Sequence, residues 1–187
     1  MRTFIAINLP QRERLRVHRA LKPLREEELP VRWLEPENIH LTLKYLGEVR
    51  PERLEPIRAQ VERVAGAMGP LALDVGGFGA FPTLRRPRVL WMGVEATPEL
   101  RCLKQDLEWA LADEGFEAET RAFHPHLTMG RANPGGGVGV FRDLDTWVPR
   151  LDFRARVRVA AVDLMRSQLS REGARYTVLA SARFQGA

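Results

Sequence analysis

Cysteine and long apolar runs are the features that this sequence most clearly lacks. Cys102 is the single cysteine among 187 residues, which excludes an internal disulfide and a thiolate metal cluster. No apolar run approaches the ~18 residues that a membrane span needs, and the short run at residues 4–7 leads into Asn8 and Pro10 instead of a signal-peptide pattern. Because no low-complexity linker divides the chain, we expect one reduced, cytoplasmic domain over residues 1–187, without membrane contact.

Lysine is also scarce, so nearly all of the positive charge comes from arginine. The 29 lysines and arginines exceed the 24 acidic residues by five, and only Lys22, Lys44 and Lys104 are lysines. A guanidinium group matches phosphate oxygens in two-point contact, but the codon usage of a GC-rich genome explains the same bias. The net charge of +5 favours nucleic acid or another polyanion as the partner.

The apolar periodicity predicts short strands and separate helices without a strict alternation of the two. We predict strands at residues 2–8, 40–46, 71–78, 88–94, 126–131, 154–165 and 176–181. Helices are predicted at residues 11–25, after Pro51, after Thr97, and in a short segment near residues 140–144. Residues 79–82 are predicted to be a connection between two strands. This order is typical of an α+β fold with antiparallel sheets.

One tetrapeptide pattern occurs twice in the chain. His40-Leu41-Thr42-Leu43 and His126-Leu127-Thr128-Met129 both begin a run in which apolar residues alternate. On a strand, residues i and i+2 share a face, so each histidine lies on the same side as its threonine, and the aliphatic residues face a core. Three of the four histidines lie in or beside the two copies, and the fourth, His18, is predicted on an exposed helix face.

Two such pairs suit acid–base chemistry on a phosphodiester. The imidazole pKa lies near ~6.5, so one histidine can be neutral and act as a base while another is charged and acts as an acid. Threonine hydroxyls can donate hydrogen bonds to phosphate oxygens, whose charge rises in the transition state. A strained cyclic phosphate is an appropriate substrate, since it requires proton transfer and positioning but no metal.

Three alternatives remain open at this point. Histidines on strands are often structural. His124, His126 and His40 could form the three-histidine zinc site of a metal hydrolase. Alternatively, the histidines could bind phosphate in a non-catalytic protein that binds RNA ends.

The glycine-rich run at residues 134–139 lacks the Lys-Ser/Thr ending of a nucleotide-binding P-loop, so we predict a surface loop there.

The two motifs, 86 residues apart, resemble those of the 2H phosphoesterases, and within them the bacterial and archaeal RNA 2′,3′-cyclic phosphodiesterases, historically called 2′-5′ RNA ligases. The resemblance extends over nearly the whole chain. It includes the opening strand at residues 2–7, the first motif and its flanks at residues 33–47, the central segment at residues 77–91, and the second motif at residues 123–131.

The resemblance implies a bilobal, pseudo-twofold fold in which two antiparallel sheets face a central cleft and the helices lie outside. It also implies hydrolysis of a terminal 2′,3′-cyclic phosphate to a 2′-phosphate without a cofactor or metal. The expected partners are RNA 3′ ends with a cyclic phosphate, including those of tRNA fragments, and we expect a monomer. Ligation to a 5′-hydroxyl, which forms a 2′-5′ linkage, would use the same histidines.

The resemblance also assigns roles to particular residues. His40 would be the general acid that protonates the departing 3′ oxygen, and His126 would be the general base that acts on water. Thr42 and Thr128 would bind the phosphate. Three further candidate substrate contacts are Arg131, at the basic position after the second motif, and the aromatic residues Phe4 and Phe81. The near symmetry of the two motifs leaves the direction of proton transfer open.

Overall fold

The structure is a computed structural model that describes residues 1–133, 135, 139–170 and 173–187. Its strands are β1 (Arg2–Asn8), β2 (Val31–Trp33), β3 (His40–Glu48), β4 (Leu71–Thr83), β5 (Arg86–Val94), β6 (His126–Ala132), β7 (Arg154–Val159), β8 (Ala161–Ser170) and β9 (Gly173–Arg183). Its α-helices are α1 (Gln11–Ala20), α2 (Lys22–Arg25), α3 (Leu54–Gly66), α4 (Pro98–Asp113) and α5 (Leu144–Trp147). Short 3₁₀ turns precede β3, precede α3 and follow α5.

The described strands form one antiparallel sheet in the order β7-β4-β5-β6-β3-β1-β8-β9, and β2 pairs with the free part of the β6 edge. Within the described residues, β3 and β6 are paired at one position, where Leu41 lies opposite Leu127. The predicted α+β fold with antiparallel sheets is therefore confirmed. The two expected sheets are the two halves of this sheet, and the Leu41–Leu127 pair joins them.

The sheet has one apolar face, which packs against the helices. Alternate residues of β1, Ile5 and Ile7, are fully buried there, as are Leu41 of β3 and Leu127 of β6. Helix α3 packs on α4 and on the β8–β9 hairpin. The N-terminus of α4 is set by Thr97, whose hydroxyl oxygen accepts a hydrogen bond from the Leu100 N–H at 3.3 Å. No helix in the described ranges is long and apolar enough to cross a membrane.

Four local predictions differ from the structure. The short helix predicted near residues 140–144 begins only at the end of that segment, as α5 (Leu144–Trp147), and turns precede it. Residues 79–82 belong to β4, which pairs with β5 as far as Thr83, and do not form a connection. The predicted strand at residues 154–165 is two strands, because the chain turns at Ala160 between β7 and β8. The predicted helix at residues 11–25 is interrupted at Leu21. Most of the glycine-rich run at residues 134–139, with its predicted surface loop, lies outside the described residues.

Candidate active site

The two His-x-Thr motifs lie on one face of the sheet, on either side of the Leu41–Leu127 pair. Continuing that antiparallel register places His40 opposite Thr128 and Thr42 opposite His126. Directly opposite residues have Cβ atoms about 5 Å apart and diagonal ones about 7–8 Å, so the two histidines are diagonal neighbours. All four side chains are partly exposed. We call this face of the sheet, opposite the helix-packed face, the site face.

Each motif continues into a β-bulge immediately after its threonine. On β3, Thr42 pairs with Ala6 and Lys44 with Ile5, so Leu43 is the extra residue. On β6, the same shift leaves Met129 unmatched between Thr128 and Gly130. A bulge reverses which face the following residues occupy. The residue three positions after each threonine therefore returns to the site face: Tyr45 in the first half and Arg131 in the second.

The His126 ring is oriented by its backbone and by aromatic neighbours. Its Nδ1 lies 2.7 Å from the carbonyl oxygen of His124, and because a carbonyl only accepts, Nδ1 carries the proton in the neutral ring. The lone pair is then on Nε2. The Phe81 ring stands edge-on to the imidazole at 5.1 Å. Burial lowers the pKa of His126, and the nearby charges of His124 and Arg131 lower that pKa further. The hydrogen bond to the His124 backbone raises the pKa and offsets part of this shift.

The His40 ring lies in a more enclosed setting. Its centroid is 4.8 Å from Tyr176 in an edge-on arrangement and 5.1 Å from Phe4. Burial lowers the pKa of His40 from its ordinary 6.5 to about 4, a hydrogen bond with the Asn38 backbone opposes the shift, and the Arg14 cation adds to it. Burial thus favours the neutral form of both imidazoles.

The structure places the other predicted site residues in different settings. Arg131 is exposed and acts electrostatically on both His126 and Tyr176, which belong to opposite halves of the site. Phe81 is half-buried beside His124 and His126. Phe4 is only 3% exposed, so it supports the His40 ring and presents little open surface to a ligand.

A buried ionic cluster supports the first motif from the helix side. The Lys44 ammonium on β3 lies 2.5 Å from the Glu108 carboxylate on α4. Lys104 also pairs with Glu108, lies 2.7 Å from Glu119, and donates a hydrogen bond of 2.7 Å to the carbonyl of Leu43, the bulged residue. Because Lys44, Lys104 and Glu108 are all buried, this cluster anchors the bulge that turns Tyr45 to the site face.

Sequence reasoning missed several side chains of the site. Tyr176 contacts His40 from β9, and Trp91 contacts His124 and Phe81 from β5. The Trp91 ring packs on Gly79, where any Cβ would collide with it. The sequence signal for Tyr45 was present, since it holds the same position after its motif as Arg131. Tyr176 has no local signal, because only the β8–β9 hairpin brings it to the site.

The alternative zinc site finds no support in the arrangement of donor groups. In the described part of the chain, no three histidine, cysteine, aspartate or glutamate side chains are grouped so that they could hold one metal ion. His124 and His126 are adjacent, with ring centroids 6.3 Å apart, but His126 uses Nδ1 to bond to the backbone. The arrangement places two imidazoles and two hydroxyls side by side on one face of the sheet, a set suited to proton transfer on a phosphate.

Comparison with known proteins identifies related sequences along most of the chain. The sequence profile of the 2′-5′ RNA ligase superfamily matches residues 12–171. The chain is 32% identical over 177 residues to an RNA 2′,3′-cyclic phosphodiesterase of Methanothermobacter thermautotrophicus, covering 95% of each. It is also 32% identical over 188 residues to the protein of that name from Thermotoga maritima, covering 100% of this chain and 97% of the relative.

Solved structures show the same fold. The crystal structure of TT0787 of Thermus thermophilus superposes with a TM-score of 0.77 at 28% identity, covering 100% of this chain and 99% of the other. The structure of Escherichia coli LigT complexed with phosphate gives a TM-score of 0.69 at 26% identity, with 98% and 97% covered. The match to the superfamily profile spans most of the chain and the relatives match end to end, so this chain belongs to the 2′-5′ RNA ligase superfamily of 2H phosphoesterases.

Proposed function

We propose that this protein hydrolyses the 2′,3′-cyclic phosphate at the 3′ end of RNA to a 2′-phosphate. The observation that carries the proposal is the placement of two His-x-Thr pairs on one face, on either side of the Leu41–Leu127 pair that joins the halves. The full-length relatives named RNA 2′,3′-cyclic phosphodiesterase support the reaction. The binding of phosphate by the structurally similar LigT supports the ligand class.

The proposed step uses both imidazoles in one displacement. The lone pair of His126 takes a proton from water as the water oxygen bonds to phosphorus. The bond between phosphorus and the 3′ oxygen breaks, and that oxygen takes a proton from His40, which leaves a 2′-phosphate and a 3′-hydroxyl. Thr42 and Thr128 donate hydrogen bonds to the nonbridging oxygens, and Arg131 offsets their charge. No metal takes part in this proposed mechanism.

The lowered histidine pKa values bear on this division of roles. The acid must be protonated, yet the pKa of His40 is about 4 in the free protein. A bound phosphate anion raises the pKa of an adjacent imidazole, since an opposite charge favours the protonated form. We therefore propose that His40 becomes protonated when the substrate binds. In the free protein at neutral pH, only a small fraction of molecules has His40 protonated and His126 neutral.

This reasoning predicts a displaced pH profile. Because the pKa values of both histidines lie below 6.5 in the free protein, kcat/KM is expected to peak below pH 6.5 and to fall about tenfold per pH unit above pH 7. The decline in kcat is expected at higher pH, since bound phosphate raises both pKa values. Steady-state rates from pH 4.5 to 8.5 measure both curves. A kcat/KM that rises between pH 6 and 8 would contradict the proposal.

Product analysis tests the activity itself. An RNA oligonucleotide that ends in a 2′,3′-cyclic phosphate is expected to yield only the 2′-phosphate, in EDTA as in its absence, as resolved by chromatography against both isomers. A 3′-phosphate product would reverse the assignment of the leaving oxygen. Loss of turnover in EDTA would favour the zinc alternative, and tight binding without turnover would favour a non-catalytic protein that binds RNA ends.

The same two histidines could also catalyse the reverse reaction, a ligation. Addition of an RNA with a 5′-hydroxyl tests the reverse reaction, because that hydroxyl can replace water and form a 2′-5′ linkage. We propose that residues 1–187 act as one unit and as a monomer, since one chain supplies both His-x-Thr pairs. We propose a cytoplasmic location, with which the exposed free thiol of Cys102 is compatible. The proposed substrates are tRNA fragments that end in a cyclic phosphate.

A further inference from the structure

Two arginines lie directly opposite one another on the site face. Strand β2 pairs with β6 so that Arg32 faces Arg131. This register is held from the other side of the sheet, where Val31 and Trp33 cover Gly130. A Cβ on Gly130 would lie 2.7 Å from Cγ1 of Val31 and 3.0 Å from Cε3 of Trp33, so larger residues are excluded there. The neighbouring residue Arg32 consequently projects on the opposite face, beside Arg131.

This pairing is electrostatically unfavourable in the free protein. Like charges directly opposite one another across two strands destabilise a sheet. No carboxylate among the described residues lies within 4 Å of either guanidinium, although other surface arginines, such as Arg58 and Arg156, have such partners. Two arginines on directly opposite residues, with no counter-ion among the described residues, form a site for an anion with several oxygens, and a phosphodiester fits the donor geometry of a guanidinium group.

The pair lies just beyond the proposed catalytic groups. Arg131 follows Thr128 by three residues, which is roughly 10 Å along a strand. The Arg32 guanidinium lies against Gly173, and Gly173 lines a cavity of about 630 Å³ together with Asn38 and with Tyr176, whose ring contacts His40. A cavity of this size accommodates a nucleoside, and the Arg32 guanidinium lies beside the Gly173 part of its lining.

We propose that Arg32, together with Arg131, binds the phosphodiester on the 5′ side of the terminal nucleotide. This inference rests on the proposed function, because it takes the cyclic phosphate to lie between His40 and His126. Arg131 has five donors and can contact both phosphates, whereas Arg32 reaches only the second. The protein thereby selects RNA chains over cyclic mononucleotides, a preference that the two His-x-Thr motifs cannot supply.

The test removes one charge from the protein and one from the substrate. The substrates are a dinucleotide with a 2′,3′-cyclic phosphate and the same dinucleotide with an uncharged methylphosphonate as its internal linkage. The wild-type protein is expected to favour the charged linkage about tenfold in kcat/KM, the effect of one charge-assisted contact. Arg32→Gln is expected to abolish most of this preference. Arg19→Gln, which removes an exposed arginine on α1, is expected to retain it.

Taking the ratio within each variant cancels differences in the amount of folded protein. The inference is overturned if the wild-type protein shows no preference between the two linkages, or if Arg32→Gln keeps the full preference. Dissociation constants for the same two dinucleotides give the equivalent ratio without catalysis. If the wild-type protein binds the dinucleotides without hydrolysing them, and Arg32→Gln removes the binding preference, the phosphodiester site is supported and the proposed reaction is contradicted.

Discussion

His126→Ala is expected to lower kcat by about 10²- to 10⁴-fold, the usual contribution of a positioned general base. Binding of the 2′-phosphate product is expected to change little, because Thr42, Thr128 and Arg131 remain. His40→Ala is expected to have an effect of similar size. The kcat of the double variant is expected to be only slightly lower than that of either single variant, since the effects of groups that act in one step are not additive. His18→Ala is the matched control, because His18 lies outside both motifs, on α1, where its ring contacts Arg25.

The same variants distinguish the acid from the base. A substrate with sulfur in place of the bridging 3′ oxygen has a leaving group that needs no proton, since a thiol is far more acidic than an alcohol. If His40 is the acid, this substrate is expected to restore most of the activity of His40→Ala and little of that of His126→Ala. The opposite pattern would exchange the two roles. Equal weakening of binding and turnover in both variants would show that the histidines serve only to hold phosphate.

Glu108→Ala is expected to lower the free energy of unfolding by about 3–5 kcal/mol, which is typical when one partner of a buried ion pair is removed. Glu108 lies between the ammonium groups of Lys44 and Lys104, and its loss leaves Lys44 buried without a carboxylate. Denaturant unfolding measures the change. Glu55→Ala is the control, since Glu55 forms an exposed pair with Arg58 and its removal is expected to change stability little.

The pH dependence of stability provides a second measurement of this cluster. Burial raises the pKa of Glu108, but hydrogen bonds and charge from Lys104 and Lys44 outweigh it, so the net pKa is lowered. A carboxyl group whose pKa is lowered by folding stabilises the protein above its ordinary pKa near 4.5, and this contribution is lost as pH falls through the lowered value. Glu108→Ala is expected to lack this contribution. An unfolding free energy within about 1 kcal/mol of wild type at pH 7 would contradict the role of Glu108.

The first motif could be identified from the chain alone, but the support behind it could not. The alternation of His40, Leu41 and Thr42 predicted a strand and its two faces correctly, because side chains alternate on any strand whatever its neighbours. Lys44 and Lys104 are charged residues that are seldom buried, and local sequence does not show that Glu108 and the Leu43 carbonyl enclose them. Their burial follows from the packing of α4 against β3.

The sequence alone determined the repeated His-x-Thr motif, the strands that carry it and the antiparallel α+β class. Each of these depends on the spacing of residues within a short segment. Tertiary structure decided which other side chains join the site. Strict alternation would place Arg131 on the helix side of the sheet, and only the bulge at Met129, seen in its pairing with β5, turns it to the histidines. Arg32 meets Arg131, and Tyr176 meets His40, through pairings between distant segments. Strand register arises from such long-range contacts, which no short stretch of sequence contains.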